Sequence, residues 1–432
     1  MPERAIVFER SQIGPELVPG TQVAATRMLL GTSIMPSITS ENTTYRPRGA
    51  RMVTTNVQNK EWTEAEIEME VAQYTDMAYM FSGLFGRPSI SVPVASVNLH
   101  EWDPLTFSGY TPLTFTVQSG GPLRASAFGY GLVTGLEMEG DRDGVSMSGS
   151  MIGQRTTDGS TITPGTAEIQ TITATGTVSG GTYTISFYGE TTTAIAFGAS
   201  AATVQTALIA LSNIEPGDVV VTGGPLPGTP MVLTFGGMYA GADVGLVSIN
   251  SAALTGTTPL YTPSQTTPGA TIAQVSLQPI SGNEWDFFLD GTAAGLGTTK
   301  LTRCFGWNWG ITDLYGPVWV GNTSQTSWAA HVDLPPSTSF GFRVAGDGSG
   351  MGPLANLRNG SLVFPRIKCT GPTLGAQTYL YQHDFAVAIT GITTGEDEDG
   401  VYSTSYEGEI AYDRTWGKFT SIDLKNDVTA IV

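Results

Sequence analysis

The clearest pattern of hydrophobic and polar positions in this chain lies between residues 64 and 71. Four apolar side chains alternate there with four carboxylates, which belong to Glu64, Glu66, Glu68 and Glu70. A two-residue period places alternate side chains on opposite faces of a β-strand, whereas a helix would scatter the apolar residues around its axis. We therefore predict a hairpin over residues 51–72, whose second strand buries one face and exposes a row of carboxylates on the other.

The period of the pattern changes after this strand. Apolar residues recur at helical spacing over 73–85, and Gly86-Arg87-Pro88 marks the end of the predicted helix. Short runs of β-favouring residues then predict strands at about 113–118, 124–139 and 144–153. Residues 1–48 contain several prolines and no clear period, so we interpret them as an irregular arm that partners would order.

One segment of the chain recurs 256 residues later. Thr134-Gly135-Leu136 is matched by Thr390-Gly391-Ile392, and Asp141-Arg142-Asp143-Gly144-Val145 by Asp397-Glu398-Asp399-Gly400-Val401. An Asp-Gly pair between alternating segments is typical of a hairpin turn. The repeat predicts two copies of one β domain, with equivalent turn residues at Asp141, Asp143, Gly144 and at Asp397, Asp399, Gly400.

The segment 167–269 differs in composition from the rest of the chain. It has few charged residues, and the tripeptide Thr-Pro-Gly stands at both of its ends, at 163–165 and 267–269. We interpret it as an inserted domain with its own strands and a helix that begins after Ser200. Removing it leaves residues 1–166 and 270–432, two halves of nearly equal length, as the predicted first and second domains.

Composition and charge narrow the possible classes of function. The 432 residues include 54 glycines, only 13% are charged, and the formal net charge is −18. Abundant glycine with many short Val, Ile and Thr runs indicates a mainly β protein. Its acidity disfavours conventional nucleic-acid binding and binding to anionic membranes. No signal peptide or membrane-length apolar run is visible, so we expect synthesis and folding in the cytosol.

The sequence offers little that points to catalysis or metal binding. The three histidines, His100, His331 and His383, are far apart and match no metal motif. The acidic runs around 141 and 397 lack the further ligands of a calcium loop, so we interpret them as turns. Cys304 and Cys369 are expected to be free, buried thiols. We predict no catalytic residue, no cofactor and no metal.

Together these features resemble the major tail tube proteins of long-tailed, non-contractile bacteriophages. The resemblance is carried by the N-terminal arm, Glu64–Ala72, Gln73–Phe85, Glu101-Trp102-Asp103-Pro104, Leu132–Gly153 and Asp413-Arg414-Thr415-Trp416-Gly417-Lys418. The insert is similar to the small β-rich decoration domains of phage virion proteins, through Val219–Gly224 and Pro230–Phe235.

The resemblance implies two tandem β-sandwich domains with a flanking helix each, plus the inserted α+β domain. It implies rings of six such domains that stack into a hollow tube, with an acidic lumen for which the row Glu64–Glu70 is our candidate. Two fused copies predict a trimeric ring of pseudo-sixfold symmetry, with the insert on the outside. The implied partners are further copies, the tape measure protein, other tail proteins and DNA that passes without specific binding. The implied location is the virion, after synthesis in the host cytoplasm.

Two other classes of function stay open at this point. A secreted or virion β-rich binding module, such as an adhesin or carbohydrate-binding protein, would use the threonine-rich insert or the tryptophans at 307, 309, 319 and 328. Core or interface packing is the other interpretation of those tryptophans. A polysaccharide-degrading tail enzyme would need a pair of carboxylates in a groove.

Overall fold

The computed structural model of the chain describes residues 9–104, 109–121, 124–160, 162–321, 327–429 and 431. Strands account for 55% of the residues and helices for 7%, which confirms the prediction of a mainly β protein. In the part of the chain that is described, no helix is both long and apolar enough to cross a membrane.

The helices and strands are numbered in chain order. The first part contains β1 (Arg10–Pro15), β2 (Arg27–Leu29), β3 (Ser33–Tyr45), β4 (Thr55–Met69), α1 (Met77–Phe85), β5 (Ser89–Val94), β6 (Val97–Trp102), β7 (Phe115–Gly120), β8 (Ala125–Asp141), β9 (Val145–Gly153) and β10 (Thr157–Ser160). The middle part contains β11 (Ile169–Phe187), β12 (Glu190–Thr191), β13 (Ile195–Ala196), α2 (Ala201–Ile209), β14 (Val219–Gly223), β15 (Met231–Phe235), β16 (Ser248–Asn250) and β17 (Leu254–Thr267). The last part contains β18 (Trp285–Asp290), β19 (Cys304–Thr312), β20 (Tyr315–Val318), β21 (Ala330–Asp333), β22 (Ser337–Ala345), α3 (Leu354–Asn359), β23 (Phe364–Leu374), β24 (Gln377–Phe385), β25 (Val387–Glu398), β26 (Val401–Ile410) and β27 (Thr420–Asn426).

Two compact units divide the described residues, and the predicted insert lies within the smaller one. That unit comprises 159–274 with the segment 120–125. Its core includes Ile185 and Phe187, which alternate with polar residues along β11. The side chain of Ser200 accepts a hydrogen bond from the backbone N–H of Thr203, so the predicted N-cap of α2 is confirmed.

An eight-stranded antiparallel sheet is the main feature of the larger unit. Its strands follow the order β3-β4-β9-β8-β19-β22-β26-β25. The first four strands come from the first half of the chain and the last four from the second half. The two halves therefore meet at the pairing of β8 with β19, inside one continuous sheet.

Most strand pairings in the first half have a counterpart in the second. Within the eight-stranded sheet, β3-β4-β9-β8 corresponds to β19-β22-β26-β25. A second set of strands also corresponds: the order β1-β7-β8-β10 in the first half matches the order β18-β23-β24-β27 in the second. The pair β5–β6 has no counterpart and extends the second of these sets beyond β27.

Both halves contribute to one hydrophobic core. All nine residues of α1 are buried, because this short helix is enclosed by strands of both halves. The Phe81 ring on this helix lies 6.4 Å from that of Trp309 and 6.0 Å from that of Tyr381. Its end is set by Gly86, whose positive φ of 88° suits a glycine and whose N–H donates to the Ser82 carbonyl.

Two predictions for the first 72 residues are wrong. The described part of the predicted arm 1–48, residues 9–48, is not irregular, because it contains β1, β2 and the 13-residue β3. The predicted hairpin over 51–72 is instead a single strand, β4, which pairs with β3. Pro36 concealed β3, since proline argues against a central strand; it is tolerated here because β3 is an edge strand.

The repeated Thr-Gly segments mark equivalent β-bulges. The pairing of β8 with β9 shifts between Val133 and Gly135, and that of β25 with β26 shifts between Ile389 and Gly391. A bulge inserts one unpaired residue and bends its strand. In each copy that residue is the threonine of the repeat, so the repeat preserves a backbone irregularity.

Candidate functional site

Three of the four glutamates predicted to form a row lie on one face of β4, and Glu70 directly follows the strand. Glu64, Glu66, Glu68 and Glu70 are exposed, while Ala65, Ile67 and Met69 between them are buried. The alternation therefore has the orientation that the sequence predicts. The Glu64 carboxylate accepts a hydrogen bond of 3.0 Å from the indole N–H of Trp62.

Further carboxylates occupy the same face of the eight-stranded sheet. Glu68 stands beside Ser148 of β9, and Ser148 stands beside Glu137 of β8. On this face lie Glu137, Glu139 and Asp141 of β8 and Glu407 and Glu409 of β26, all of them exposed. Sequence analysis missed these residues, although the short alternations Leu136–Glu139 and Tyr406–Glu409 carry the same signal as β4.

Small residues separate the acidic strands of this face. Ser146, Ser148 and Ser150 of β9 lie between the carboxylates of β4 and β8. Gly310 and Gly341 lie between those of β8 and β26. Serine and glycine add little bulk, so the carboxylates are the groups that extend furthest into solvent.

Cations also lie on the acidic face: Lys60 at the outer end of β4, paired with Glu41 of β3 at 2.9 Å, and Arg343 of β22. The Arg343 guanidinium lies 3.2 Å from the Glu398 carboxylate, and its strand neighbour Ser405 donates a short hydrogen bond to Glu396. Exposed ion pairs contribute about 0–1 kcal/mol, so this pair changes the local charge more than the stability. We call the solvent-exposed side of the eight strands the acidic face.

The acidic face is concave over its second half. An open trough of about 990 Å³ is bordered by strands β8, β19, β22, β26 and β25. Its lining includes Glu139, Asp141, Glu396, Glu407 and Glu409. The trough carries polar and acidic groups over a broad surface, without the enclosed apolar walls of a small-molecule site.

The predicted turn residues close two corresponding hairpins. Asp141 accepts hydrogen bonds from the backbone N–H groups of Asp143 and Gly144, at 2.8 and 3.2 Å. Asp397 accepts one of 2.6 Å from the N–H of Gly400. The turns differ in length, because Gly140 pairs with Val145 in the first and Glu398 with Val401 in the second.

In the second turn, Asp399 and Gly400 have φ values of 50° and 79°. Positive φ at both central residues is the geometry of a type I′ hairpin turn. In both turns an aspartate carboxylate accepts hydrogen bonds from backbone N–H groups, which agrees with the interpretation of these segments as turns. In the described ranges, no group of three or more His, Cys, Asp or Glu side chains is arranged to hold a metal ion.

Two of the three histidines are buried and hydrogen-bonded. His383 lies between the hydroxyls of Tyr381 and Thr420, at 2.8 and 2.7 Å. Burial holds the pKa of His383 well below its usual value, so the ring is neutral. His100 contacts the Asn426 side chain at 3.1 Å. Such contacts make these histidines part of the core.

Three of the four candidate tryptophans belong to the interior, while Trp319 is half-buried and its ring lies 5.6 Å from that of Trp62. Trp307, Trp309 and Trp328 are at most 3% exposed, which favours core packing over a carbohydrate platform. Cys369 is buried and Cys304 half-buried, and both are free thiols. Burial raises the pKa of the Cys304 thiol to about 12, so this thiol is unreactive near neutral pH.

Comparisons with known proteins identify no relative of this chain. No model of a known protein family matches the sequence, and no curated protein is significantly similar to it.

Proposed function

We propose that this protein is a tail tube subunit of a long-tailed, non-contractile bacteriophage, whose copies form rings that stack into a channel for DNA. The observation that carries the proposal is the eight-stranded sheet. One of its faces is buried and apolar, the other is acidic, and each of its edges is a strand with a partner on one side only over most of its length.

The chemistry of the acidic face suits a channel through which DNA passes. Seven exposed carboxylates, at 64–70 and 137–141, face solvent, and Lys60 at the outer end of β4 is paired with Glu41. Carboxylates repel the phosphate backbone, so DNA would move along such a wall without being held. A face that gripped DNA would instead present lysine and arginine.

The edges of the sheet suit assembly into a closed ring. An unpaired edge offers free N–H and C=O groups to another chain, and closure into a barrel removes all such edges. The two edges of this sheet differ, so each copy would join the next head to tail, which closes into a ring when the rotation fits.

The repeat sets the number of copies that we propose for a ring. Each chain supplies two corresponding sets of four strands, so three chains would supply six sets and about 24 strands. Barrels of about 16–18 strands already enclose an aqueous channel. We therefore propose a trimeric ring with pseudo-sixfold symmetry and the insert outside the channel.

Contacts between rings are proposed for the ribbon formed by the outer parts of β3 and β4. No residue of 41–45 or 55–60 is buried, although an isolated two-stranded ribbon is marginally stable in water. Apolar side chains of this ribbon, among them Tyr45 and Val57, are more than half exposed. The tape measure protein and other tail proteins are the further partners that the proposal implies.

Electron microscopy of the purified, concentrated protein tests this proposal. We expect rings or tubes with a central channel, and a sedimentation profile that shifts to larger species as concentration rises. A chain that stays monomeric at every concentration and salt condition would contradict it. DNA binding by the assembled protein at low salt would contradict the proposed role of the acidic face.

A further inference from the structure

The junction between the two halves of the chain provides a template for a junction between copies. At the pairing of β8 with β19, Leu136 stands opposite Ile311 and Met138 opposite Trp309. All four side chains are at most 2% exposed. β25, at one end of the sheet, corresponds to β8, and β3, at the other end, corresponds to β19. The two end strands are therefore equivalent to the two strands that pair with each other in the middle of the sheet.

Pairing across the sheet aligns these strands residue by residue. In the first half, Gly135 pairs with Ser150, Ser150 with Glu66, and Glu66 with Met35. In the second half, Gly391 pairs with Glu407, Glu407 with Gly341, and Gly341 with Asn308. Since Gly135 and Gly391 follow equivalent bulges, Met35 corresponds to Asn308.

The same alignment matches Ile38-Thr39 with Ile311-Thr312. Neither strand has a bulge in this stretch, so the identical dipeptides occupy identical places. Their surroundings differ: Ile311 is 1% exposed, and Ile38 is 56% exposed. One difference between their surroundings is that Ile311 has Leu136 of β8 beside it, whereas no strand among the described residues pairs with Ile38 on that side.

From this template we infer that β25 of one copy pairs antiparallel with β3 of the next, with Ile392 opposite Ile38 and Gly391 opposite Thr39. The inference rests on the proposed ring and specifies which strands of neighbouring copies contact each other in it. The occupant of the β3 edge is a second copy, because only a strand corresponding to β8 reproduces the internal junction. The pairing covers Ile38 as Leu136 covers Ile311.

Gly391 supports this register independently. At the internal junction, a Cβ on Gly135 would lie 2.8 Å from Cα of Thr312, so β19 requires glycine there. A Cβ on Gly391 would meet only the Glu407 side chain, at 3.4 Å or more. Nothing among the described residues requires this glycine, whereas Thr39 of a second copy in the inferred register would.

Disulfide cross-linking of assembled protein tests the register. Directly paired residues of antiparallel strands have Cβ atoms about 4.5–5.5 Å apart, close to the spacing that a disulfide needs. The test variant carries Ile38→Cys with Ile392→Cys. The control carries Ser40→Cys with Ile392→Cys, which moves one thiol two residues along the same face. Each single-cysteine variant reports the background from Cys304 and Cys369.

Under mild oxidation we expect the test variant to give covalent dimers and trimers on a denaturing, non-reducing gel. We expect the yield from the control to be at least fivefold lower. Equal yields from both pairs, or rings of the test variant without cross-links, would overturn the inferred register and leave the tube proposal standing. Absence of rings for the unmodified protein would overturn both.

Discussion

The two halves of the eight-stranded sheet have the same strand order but different surface chemistry. The first half presents seven carboxylates, at 64–70 and 137–141, and its cation Lys60 lies at the outer end of β4, paired with Glu41 of β3. The second presents four, on β25 and β26, together with Arg343. Strand order and the bulge at the Thr-Gly repeat are retained in both, while individual charges are not. This difference indicates that backbone geometry and a net negative face matter, and that the exact placement of each carboxylate does not.

The helices of the two halves differ more strongly. α1 is entirely buried, whereas the six residues of α3 include none that is buried. The first half therefore supplies the helix around which the shared core is built. Most of the packing energy of the helices should reside in α1.

Truncation of matched leucines should show this difference most clearly. Leu84→Ala in α1 should lower the free energy of unfolding by about 2–5 kcal/mol, because it leaves a cavity in the core. Leu357→Ala in α3 removes a half-buried side chain and should cost about 1 kcal/mol or less. Urea unfolding measures both. Equal losses would show that the helices play similar parts.

The N-cap residues of the two helices also differ: Asp76 precedes α1, and Pro353 precedes α3. The Asp76 carboxylate accepts hydrogen bonds from the hydroxyl of Thr32 and the N–H of Gly31, at 2.8 and 3.0 Å. Burial nevertheless raises the pKa of Asp76 to about 6. Its contribution to stability is thus fully present below about pH 4 and lost as pH rises through about 6.

Asp76→Asn should remove this pH dependence. Relative to the original protein, the variant should gain about 2–3 kcal/mol between pH 4 and pH 7, since one pKa unit corresponds to about 1.4 kcal/mol. Denaturant unfolding at both pH values measures the gain, and Asp313→Asn, at an exposed position, serves as the control. A difference that does not change with pH would contradict the assignment.

Substitutions of the glycines that follow the two bulges should distinguish effects on folding from effects on assembly. Gly135→Val would place side-chain atoms against Thr312 of β19 and should destabilise the single chain by about 1–3 kcal/mol. Gly391→Val meets no such obstacle within the chain, so its melting temperature should be unchanged while ring formation is lost. Thermal melting and sedimentation together measure both effects. If Gly391→Val still forms rings, the inferred junction is wrong.

The bulge threonines should give the smallest effect. The Thr134 hydroxyl lies 2.8 Å from that of Ser150 and is buried, whereas the Thr390 hydroxyl donates a long bond of 3.4 Å to the Glu407 carbonyl at the surface. Thr134→Val should cost about 1 kcal/mol, and Thr390→Val less than half of that. Equal costs would mean that the bulges depend on their hydroxyls to the same degree.

Parts of the fold follow directly from the sequence. The alternation in β4, the helix α1, the N-cap at Ser200 and the Asp-Gly turns rest on local patterns, and each is found in the structure. The strand β3 could not be predicted, because its only wholly buried residue is Ile34 and its partner is β4. Local periodicity vanishes where neither face of a strand is covered.

The acidic face shows the same limit. Four of its carboxylates were predicted because β4 is long enough to display a clear period. The others lie in shorter alternations of two or three carboxylates, at 137–141 and 407–409, which are too short to stand out. Their common position depends on pairing between residues far apart in the chain, such as Glu137 with Gly310, and no local pattern encodes that.

The most direct test of the account is the number of chains in one ring of the assembled protein, measured by cryo-electron microscopy. We expect three chains per ring, with six corresponding four-stranded sets around one channel and Glu64, Glu66, Glu68 and Glu70 on its wall. A ring of six chains, or a channel lined by the opposite face of the sheet, would contradict the account.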